Sequence, residues 1–271
     1  MKRLTLHRSQ SFRGPLILVN RDHPLQETET PELIPLDAAY PDIRMERRAG
    51  KLLSACIQAA GGRGTIVPVS GWRSFGEQQS IWDDTLAKEG EAFTRQYVAF
   101  PGCSEHQTGL AMDLAKAAPS IDFIRPDFPD EGPCGTFRRL AAQYGFIQRY
   151  RREKEAVTRI AEEPWHFRYV GVPHALLMEQ NRLCLEEYVP FLQSGVKVCR
   201  LSNGRTARVS WLPCPGEEIQ TEVPEGCWQV SGDNQGGFIL TLWEGGFCIN
   251  RVRKFIQETF EYRNRFSKRR I

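Results

Sequence analysis

The sequence predicts an α+β fold, in which helices surround a small antiparallel sheet and a small, mostly-β unit follows. Three observations support this prediction. Residues 42–60 carry apolar side chains in a helical stripe that ends at a glycine pair. The short runs TIVPV and WHFRYV are rich in β-branched and aromatic residues, as strands are. After residue 190, short apolar runs alternate with NG, PGEE, DNQGG and EGG, which is the turn chemistry of hairpins.

The elements can be placed in order along the chain. Ser74 is predicted to cap a helix that runs to about Lys88, and Pro68 indicates a strand at an edge or with a bulge. The predicted elements are a helix over 42–60, a strand over 65–69, helices over 75–88 and 91–100, a strand over 109–115, a helix over 135–145, a strand over 165–170 and a helix over 172–192. We therefore expect a main domain over residues 1–193 and a β-rich accessory domain over 194–271 with a basic tail.

Composition excludes some classes of function. The 271 residues are 41% hydrophobic and 25% charged with a net charge of +3, as in ordinary soluble proteins. Residues 251–271 hold eight Lys and Arg against two Glu, which indicates a solvated end, and no nucleic-acid partner is expected. The early apolar run PLILV is too short for a signal peptide, and no stretch reaches the roughly 18–20 apolar residues of a membrane span. The expected location is cytoplasmic.

The cysteines give a second indication of the compartment. None of the eight forms a C-x-x-C pair, so they do not indicate a zinc ribbon or a redox motif. Scattered thiols of this kind are typical of a reducing compartment. Four of them lie after residue 193, where pairing stays open.

The segment SEHQTGLAMD places His106 and Asp113 seven residues apart, with Gly109 between them. A helix would bring the two side chains to nearly one face. A strand would separate them unless a turn or bulge intervened, and Gly109 is a natural place for one. Spacing alone therefore leaves open whether they are ordinary polar residues or two ligands of a metal site.

His166, in EEPWHFRYV, is the strongest candidate for a third ligand among the five histidines. Two His and one Asp leave a fourth position for water, which is the open arrangement of a catalytic zinc. Glu163 precedes His166 by three residues, and Pro164 disfavours a helical conformation there. Its carboxylate is a candidate general base, because a zinc-bound water has a pKa near 7 and needs only one proton taken and returned.

These segments resemble those of a known family. SEHQTGLAMD matches the S-x-H-x-x-G-x-A-x-D signature of the zinc D-alanyl-D-alanine peptidases associated with vancomycin resistance (the VanY/VanXY type). EPWHFRYVG matches their second metal motif, and SGWRS resembles their S-G-Y-R-S segment, with Trp72 in place of Tyr. The similarity runs from about residue 18 to 189 and is closest to the cytoplasmic bifunctional dipeptidase/carboxypeptidase branch. It does not explain the region after about residue 195.

The resemblance implies a role for each matched residue. The Zn²⁺ ligands would be His106, Asp113 and His166, and Glu163 would be the general base. The oxyanion would be stabilised by Arg73. Ser104 would bind the terminal carboxylate of the substrate, and Gln78 and Trp165 would also contact the substrate.

The implied reaction is zinc-dependent hydrolysis of the D-Ala-D-Ala peptide bond, in the free dipeptide or at the end of a peptidoglycan precursor. Two alternatives stay open at this point. One is an L,D-carboxypeptidase or another cell-wall peptidase on the same scaffold. The other is a zinc-stabilised binding module without turnover, although such a module would have no need of a base at Glu163.

Overall fold

The computed structural model describes residues 1–26 and 30–244. These residues contain seven α-helices and four antiparallel sheets. The strands are β1 Lys2–His7, β2 Leu33–Pro35, β3 Arg44–Glu46, β4 Ile66–Ser70, β5 Ala111–Lys116, β6 Phe146–Tyr150, β7 Glu163–Tyr169, β8 Lys197–Arg200, β9 Thr206–Pro213, β10 Glu218–Val223, β11 Trp228–Gly232 and β12 Gly237–Glu244. The helices are α1 Arg47–Ala59, α2 Phe75–Glu89, α3 Glu91–Tyr97, α4 Gly132–Leu140, α5 Glu155–Thr158, α6 Val172–Asn181 and α7 Leu185–Gln193. The predicted α+β class is confirmed. In these ranges no helix has the length and apolar character needed to cross a membrane.

The central sheet has the strand order β4-β5-β7-β6. Its edge strand β4 carries a register shift between Pro68 and Ser70, so the prediction of an edge or a bulge at this proline is confirmed on both counts. One face packs on a core that includes Leu53 of α1, Phe137 of α4 and Phe167 of β7. The sequence did not predict β6, whose arginine and glutamine interrupt the apolar pattern of a buried strand.

The first helix begins later than its apolar stripe indicates. Residues 44–46 form β3, which pairs with β2, and α1 starts at Arg47. The Glu46 side chain accepts hydrogen bonds from the backbone N–H groups of Arg48 and Ala49, so this residue caps the helix. The second helix starts as predicted, because Ser74 and Glu77 form a reciprocal capping box. The third ends at Tyr97 rather than at residue 100.

The prediction of one helix over residues 172–192 is wrong. The chain forms α6 and α7, separated at Arg182, which adopts a left-handed backbone conformation with φ 52°. The N–H of Arg182 then bonds to the carbonyl groups at the end of α6. Helix α7 begins after Cys184, whose N–H donates to the Glu187 carboxylate. Because left-handed caps usually use glycine or asparagine, an arginine at this position gives no signal in the sequence.

The C-terminal part of the described chain is β-rich, as predicted, with one sheet of order β11-β12-β9-β8. Strand β10 lies outside that sheet and pairs with β1. The first strand of the chain therefore packs with the C-terminal part. A shared core contains Val170 and Leu177 from the first predicted domain and Val209 and Ile239 from the second. The boundary at residue 193 stays a prediction. The basic tail and residues 245–250 lie outside the described residues.

Six cysteines in the described ranges are free and buried, whereas Cys227 is disulfide-bonded. The free thiols are Cys56, Cys103, Cys134, Cys184, Cys199 and Cys214. Burial raises the pKa of the Cys56 thiol to about 12, as expected for a cysteine that acts as a small core residue.

Candidate active site

His106, Asp113 and His166 come together on one side of the central sheet. Asp113 on β5 and His166 on β7 are directly paired across neighbouring strands, so their side chains share a face. His166 Nδ1 lies 2.9 Å from Asp113 Oδ1, and His106 Nε2 lies 3.2 Å from Asp113 Oδ2. All three side chains are buried.

A turn before β5 brings His106 back onto this face. Residues 105–108 form a short 3₁₀ helix, and Gly109 ends it with φ 72°. A Cβ on Gly109 would also lie 2.9 Å from Pro31 Cγ, so both conformation and space favour glycine. His106 Nδ1 lies 2.7 Å from the Gly71 carbonyl oxygen, an arrangement in which Nδ1–H donates and Nε2 is directed at Asp113.

The three side chains fit a metal ion. One ligand atom from each can be chosen so that all three lie within 4.8 Å of one another. Asp113 Oδ1 is buried and lies 2.9 Å from His166 Nδ1 without an aligned hydrogen bond, which is a costly state for a carboxylate oxygen unless a cation binds it. Two imidazoles and one carboxylate form a donor set that suits zinc with an open fourth position. The cluster can therefore hold a divalent metal.

Glu163 reaches the same cluster because β7 is irregular. Phe167 pairs with Gln148 and Glu163 with Tyr150, so β7 contains more residues than β6 between these two pairs. In a regular strand, residues three apart point to opposite faces, and the irregularity removes this separation. Glu163 Oε2 lies 3.5 Å from His166 Nδ1. Burial raises the pKa of the Glu163 carboxyl to about 8.

Arg73 lies at the edge of the cluster, held by three hydrogen bonds. Its Nε donates to Ser70 Oγ at 2.8 Å, its Nη2 to Asp113 Oδ2 at 3.0 Å and its Nη1 to Gln78 Oε1 at 3.3 Å. The Gln78 side chain is fully buried and donates in turn to the Ala99 carbonyl at 2.8 Å. Gln78 therefore contacts Arg73, and it does not line the cleft in front of the cluster.

The remaining two predicted residues line that cleft. Ser104 and Trp165 face it together with Arg73, Glu163 and the three candidate ligands. Their exposed fractions are only 1% and 8%, so small changes in either would alter the shape of the cleft. Phe123, which the sequence analysis did not single out, also lines it and lies under Arg73, with its ring centre 5.6 Å from the guanidinium carbon.

The surroundings of the cluster shift the pKa values of its two histidines in opposite directions. Burial, reinforced by Arg73, lowers the pKa of His106 to about 4. Burial also acts to lower the pKa of His166, but Asp113 and other carboxylates outweigh it and raise that pKa to about 9. Burial opposes ionisation of Asp113 too, yet the two histidines hold its pKa well below the usual range. A metal ion would have to displace a proton from His166.

Sequence reasoning missed a buried charge network behind His166. Glu105 contacts Arg149 and Arg168, and Arg149 also binds Glu186 of α7 through two hydrogen bonds. The side chains of Glu105, Arg149 and Arg168 are fully buried. Nothing in a single sequence pairs charges that are 37 or 44 residues apart.

Comparison with known proteins identifies the family. The D-alanyl-D-alanine carboxypeptidase family, VanY, matches residues 42–172. The bifunctional D-Ala-D-Ala dipeptidase and D-Ala-D-Ala carboxypeptidase VanXYC of Enterococcus gallinarum is 39% identical over 184 residues, which are 67% of this chain and 97% of that protein. The chain belongs to the VanY family. The three sequence motifs that indicated this family lie within the matched residues, and the chain is an enzyme of the peptidase class.

Solved structures of other family members extend the likeness beyond the matched core. The vancomycin-resistance D,D-dipeptidase VanXYg, in complex with a D-Ala-D-Ala phosphinate analogue, superposes with a TM-score of 0.87 at 42% identity and covers 90% of this chain and 99% of its own. The superposed fraction of this chain is larger than the fraction that residues 1–193 represent. The structural similarity therefore includes part of the β-rich region after residue 193. The vancomycin-resistance D,D-pentapeptidase VanY, in complex with Zn(II), covers 65% of this chain and 98% of its own, with a TM-score of 0.54 at 32% identity.

Proposed function

We propose that this VanY-family enzyme hydrolyses the D-Ala-D-Ala peptide bond in a zinc-dependent reaction, in the free dipeptide and at the C-terminal end of peptidoglycan precursors. The observation that carries the proposal is the buried cluster of His106, Asp113 and His166 with Glu163 beside it, at the base of one cleft. The names of the relatives support the substrate, since they include D-Ala-D-Ala dipeptidase and carboxypeptidase.

The residues proposed to hold zinc are His106, Asp113 and His166. Their nitrogen and oxygen donors suit this metal, and a VanY relative is known in complex with Zn(II). When bound, zinc would supply a Lewis acid for the peptide carbonyl and lower the pKa of a water molecule.

Two residues are proposed to carry the chemistry. Glu163 would take a proton from the attacking water and return it to the departing D-alanine amine, so one carboxylate acts first as base and then as acid. Arg73 would stabilise the negative charge that develops on the carbonyl oxygen. Its three hydrogen bonds fix the guanidinium before substrate arrives, which makes its positive charge more effective in the transition state.

Substrate contacts are proposed for Ser104 and Trp165. The Ser104 hydroxyl can donate to the terminal carboxylate of the substrate, and the Trp165 ring can form a wall of the cleft. Gln78 was predicted to bind substrate as well. Because its amide is bonded to Arg73 and Ala99, we propose that it acts on the reaction through Arg73.

A second groove supports action on longer substrates. Tyr97 and Trp165 line both this groove and the catalytic cleft, so the two adjoin. A peptide whose last two residues occupy the cleft would have room there for the residues that precede them. We therefore propose that the enzyme acts as both dipeptidase and carboxypeptidase.

The proposal is tested by D-alanine release from zinc-loaded protein. D-Ala-D-Ala, a muramyl pentapeptide and a tetrapeptide that ends in an L,D bond are assayed in parallel, each with and without a chelator. We expect chelator-sensitive release from the first two substrates. Release only from the tetrapeptide would contradict the proposal and favour the L,D-carboxypeptidase alternative, and zinc binding without any release would favour a binding module.

Domain organisation and location are also proposed. Residues 1–193 would form the catalytic unit and 194–271 an accessory unit, with β1 joined to the latter. We propose a cytoplasmic location on the basis of the six free thiols, which are typical of a reducing compartment. The disulfide at Cys227 argues in the other direction, and cell fractionation with an antibody to the protein would decide between them.

A further inference from the structure

Two buried polar atoms face each other behind the candidate metal ligand His166. His166 Nε2 lies 3.5 Å from Glu105 Oε2, and neither atom has a hydrogen-bond partner elsewhere. The Glu105 side chain is fully buried and that of His166 is 5% exposed. Unpartnered polar atoms are uncommon in protein interiors because each carries a desolvation cost, so two that face each other call for a functional explanation.

The other nitrogen of His166 faces the metal cluster. Nδ1 lies 2.9 Å from Asp113 Oδ1 and 3.5 Å from Glu163 Oε2. A metal held by the cluster would therefore take Nδ1, and a neutral imidazole that ligates through Nδ1 carries its proton on Nε2. Glu105 Oε2 is the carboxylate oxygen beside this nitrogen, at 3.5 Å.

Glu105 is fixed in place by two arginines. Its Oε1 accepts a hydrogen bond from Arg149 Nε at 2.7 Å and lies 3.0 Å from Arg168 Nη1. Arg149 is itself held by Glu186, at 2.9 Å and 2.6 Å. Although burial opposes ionisation of Glu105, these two cations hold its pKa far below the usual range. Since Oε1 is occupied, Oε2 is left for His166.

We infer that Glu105 is a positioning residue for His166: it accepts the Nε2–H hydrogen bond and thereby fixes the tautomer and ring orientation in which Nδ1 ligates the metal. This inference rests on the proposed metal site. Partners of this kind commonly change metal affinity or activity by about 10–100-fold when they are mutated. The Glu105 network thus connects the metal site with α7, which carries Glu186.

Two substitutions of Glu105 test the charge of its side chain and the length of its side chain separately. Glu105→Gln keeps the length and removes the charge, whereas Glu105→Asp keeps the charge and withdraws the carboxylate from His166. We expect both to weaken zinc binding by roughly 10–100-fold in a chelator competition and to alter the absorption spectrum of the cobalt(II)-substituted protein. Glu179→Gln is the matched control, because it removes the charge of a glutamate that pairs with Arg151 outside this network. Its zinc affinity and cobalt spectrum should be unchanged.

Histidine nitrogen NMR of the zinc-loaded wild-type protein tests the same inference without a mutation. His166 should be metal-bound at Nδ1 and protonated at Nε2. Coordination through Nε2, or unchanged zinc affinity and cobalt spectra in both Glu105 variants, would overturn the inference while leaving the proposed function intact. A wild-type protein that binds no zinc would overturn both.

Discussion

Arg73 donates a hydrogen bond to Asp113 across 3.0 Å, so a cation predicted to act on substrate is bonded to a predicted metal ligand. Asp113 is therefore shared by Arg73 and the two histidines. The Arg73 side chain is only 13% exposed, and its remaining hydrogen bonds to Ser70 and Gln78 restrict its rotation. The arrangement provides a fixed positive charge beside the metal cluster, which is what stabilisation of a developing oxyanion requires.

Arg73→Ala should lower kcat by about 10²–10³-fold, because loss of one oxyanion donor has an effect of this size in other hydrolases. KM should change little, since the interaction is made mainly in the transition state. Steady-state assays of D-alanine release, with zinc content measured in the same samples, check this. An effect confined to KM would contradict the oxyanion role and indicate a ground-state contact.

Glu163→Gln should retain zinc and lose about 10²–10⁴-fold in kcat, the usual contribution of a general base. Glu162→Gln is the matched control, since this neighbouring carboxylate pairs with Arg152, whose side chain is 82% exposed. Because Glu162 lines the second groove proposed for longer substrates, the control is assayed with free D-Ala-D-Ala and should keep full turnover. Full turnover by Glu163→Gln would remove this residue as the base.

His166→Ala should lower zinc occupancy and abolish the increase in thermal stability that zinc produces, because metal binding and folding are linked. Metal analysis after dialysis and thermal unfolding with and without zinc provide the two measurements. His7→Ala is the control, since His7 lies on β1 with its side chain 59% exposed and paired with Glu218. Unchanged zinc stoichiometry in His166→Ala would show that a different residue is the third ligand.

Gln78→Ala should reduce kcat by about 10–100-fold, because small displacements of a catalytic group have effects of this order. The reason is indirect: without the Gln78 amide, Arg73 Nη1 loses the partner that holds it at 3.3 Å. Gln79→Ala is the control, because the half-buried Gln79 bonds to Asp83 on the same helix. A raised KM with unchanged kcat would instead support the direct substrate contact that the sequence predicted for Gln78.

Local patterns predicted the strands that carry Asp113 and His166, and short motifs that resemble a known family indicated the residues of the cluster. Asp113 and His166 lie in short motifs, and the turn at Gly109 that brings His106 to them is visible as a glycine between two candidate ligands. The capping box at Ser74 was likewise local. Where a feature depends on residues within one turn or one strand of each other, its signal survives in a single sequence.

Features that depend on distant residues left no such signal. β1 pairs with β10 across most of the chain, and the Arg149 hydrogen bonds join residues 37 and 44 positions away. The break between α6 and α7 at Arg182 was missed for a different reason, since an arginine there satisfies a helical pattern and takes the left-handed conformation only in its tertiary context. Long-range pairing and context-dependent backbone conformation account for these errors.

His174 should make the stability of the protein depend on pH. It lies on α6, buried between Tyr188 Oη at 2.8 Å from its Nδ1 and Thr241 Oγ1 of β12 at 3.1 Å from its Nε2. Burial lowers the pKa of His174 from 6.5 to about 3. Below pH 6.5 the unfolded chain binds a proton at His174, whereas the folded protein binds it only near pH 3. The free energy of unfolding therefore decreases as pH falls through this window.

The expected loss from this residue between pH 7 and pH 5 is about 2 kcal/mol in the free energy of unfolding. Urea unfolding at both pH values, for the wild-type protein and for His174→Gln, isolates the contribution, because the histidines of the metal cluster are common to both proteins. The variant should be less stable at pH 7, since glutamine cannot match both hydrogen bonds of the ring, but its stability should fall less on acidification. An equal fall in the two proteins would mean that His174 is protonated in the folded state, and that the contact between α6 and β12 tolerates a charge.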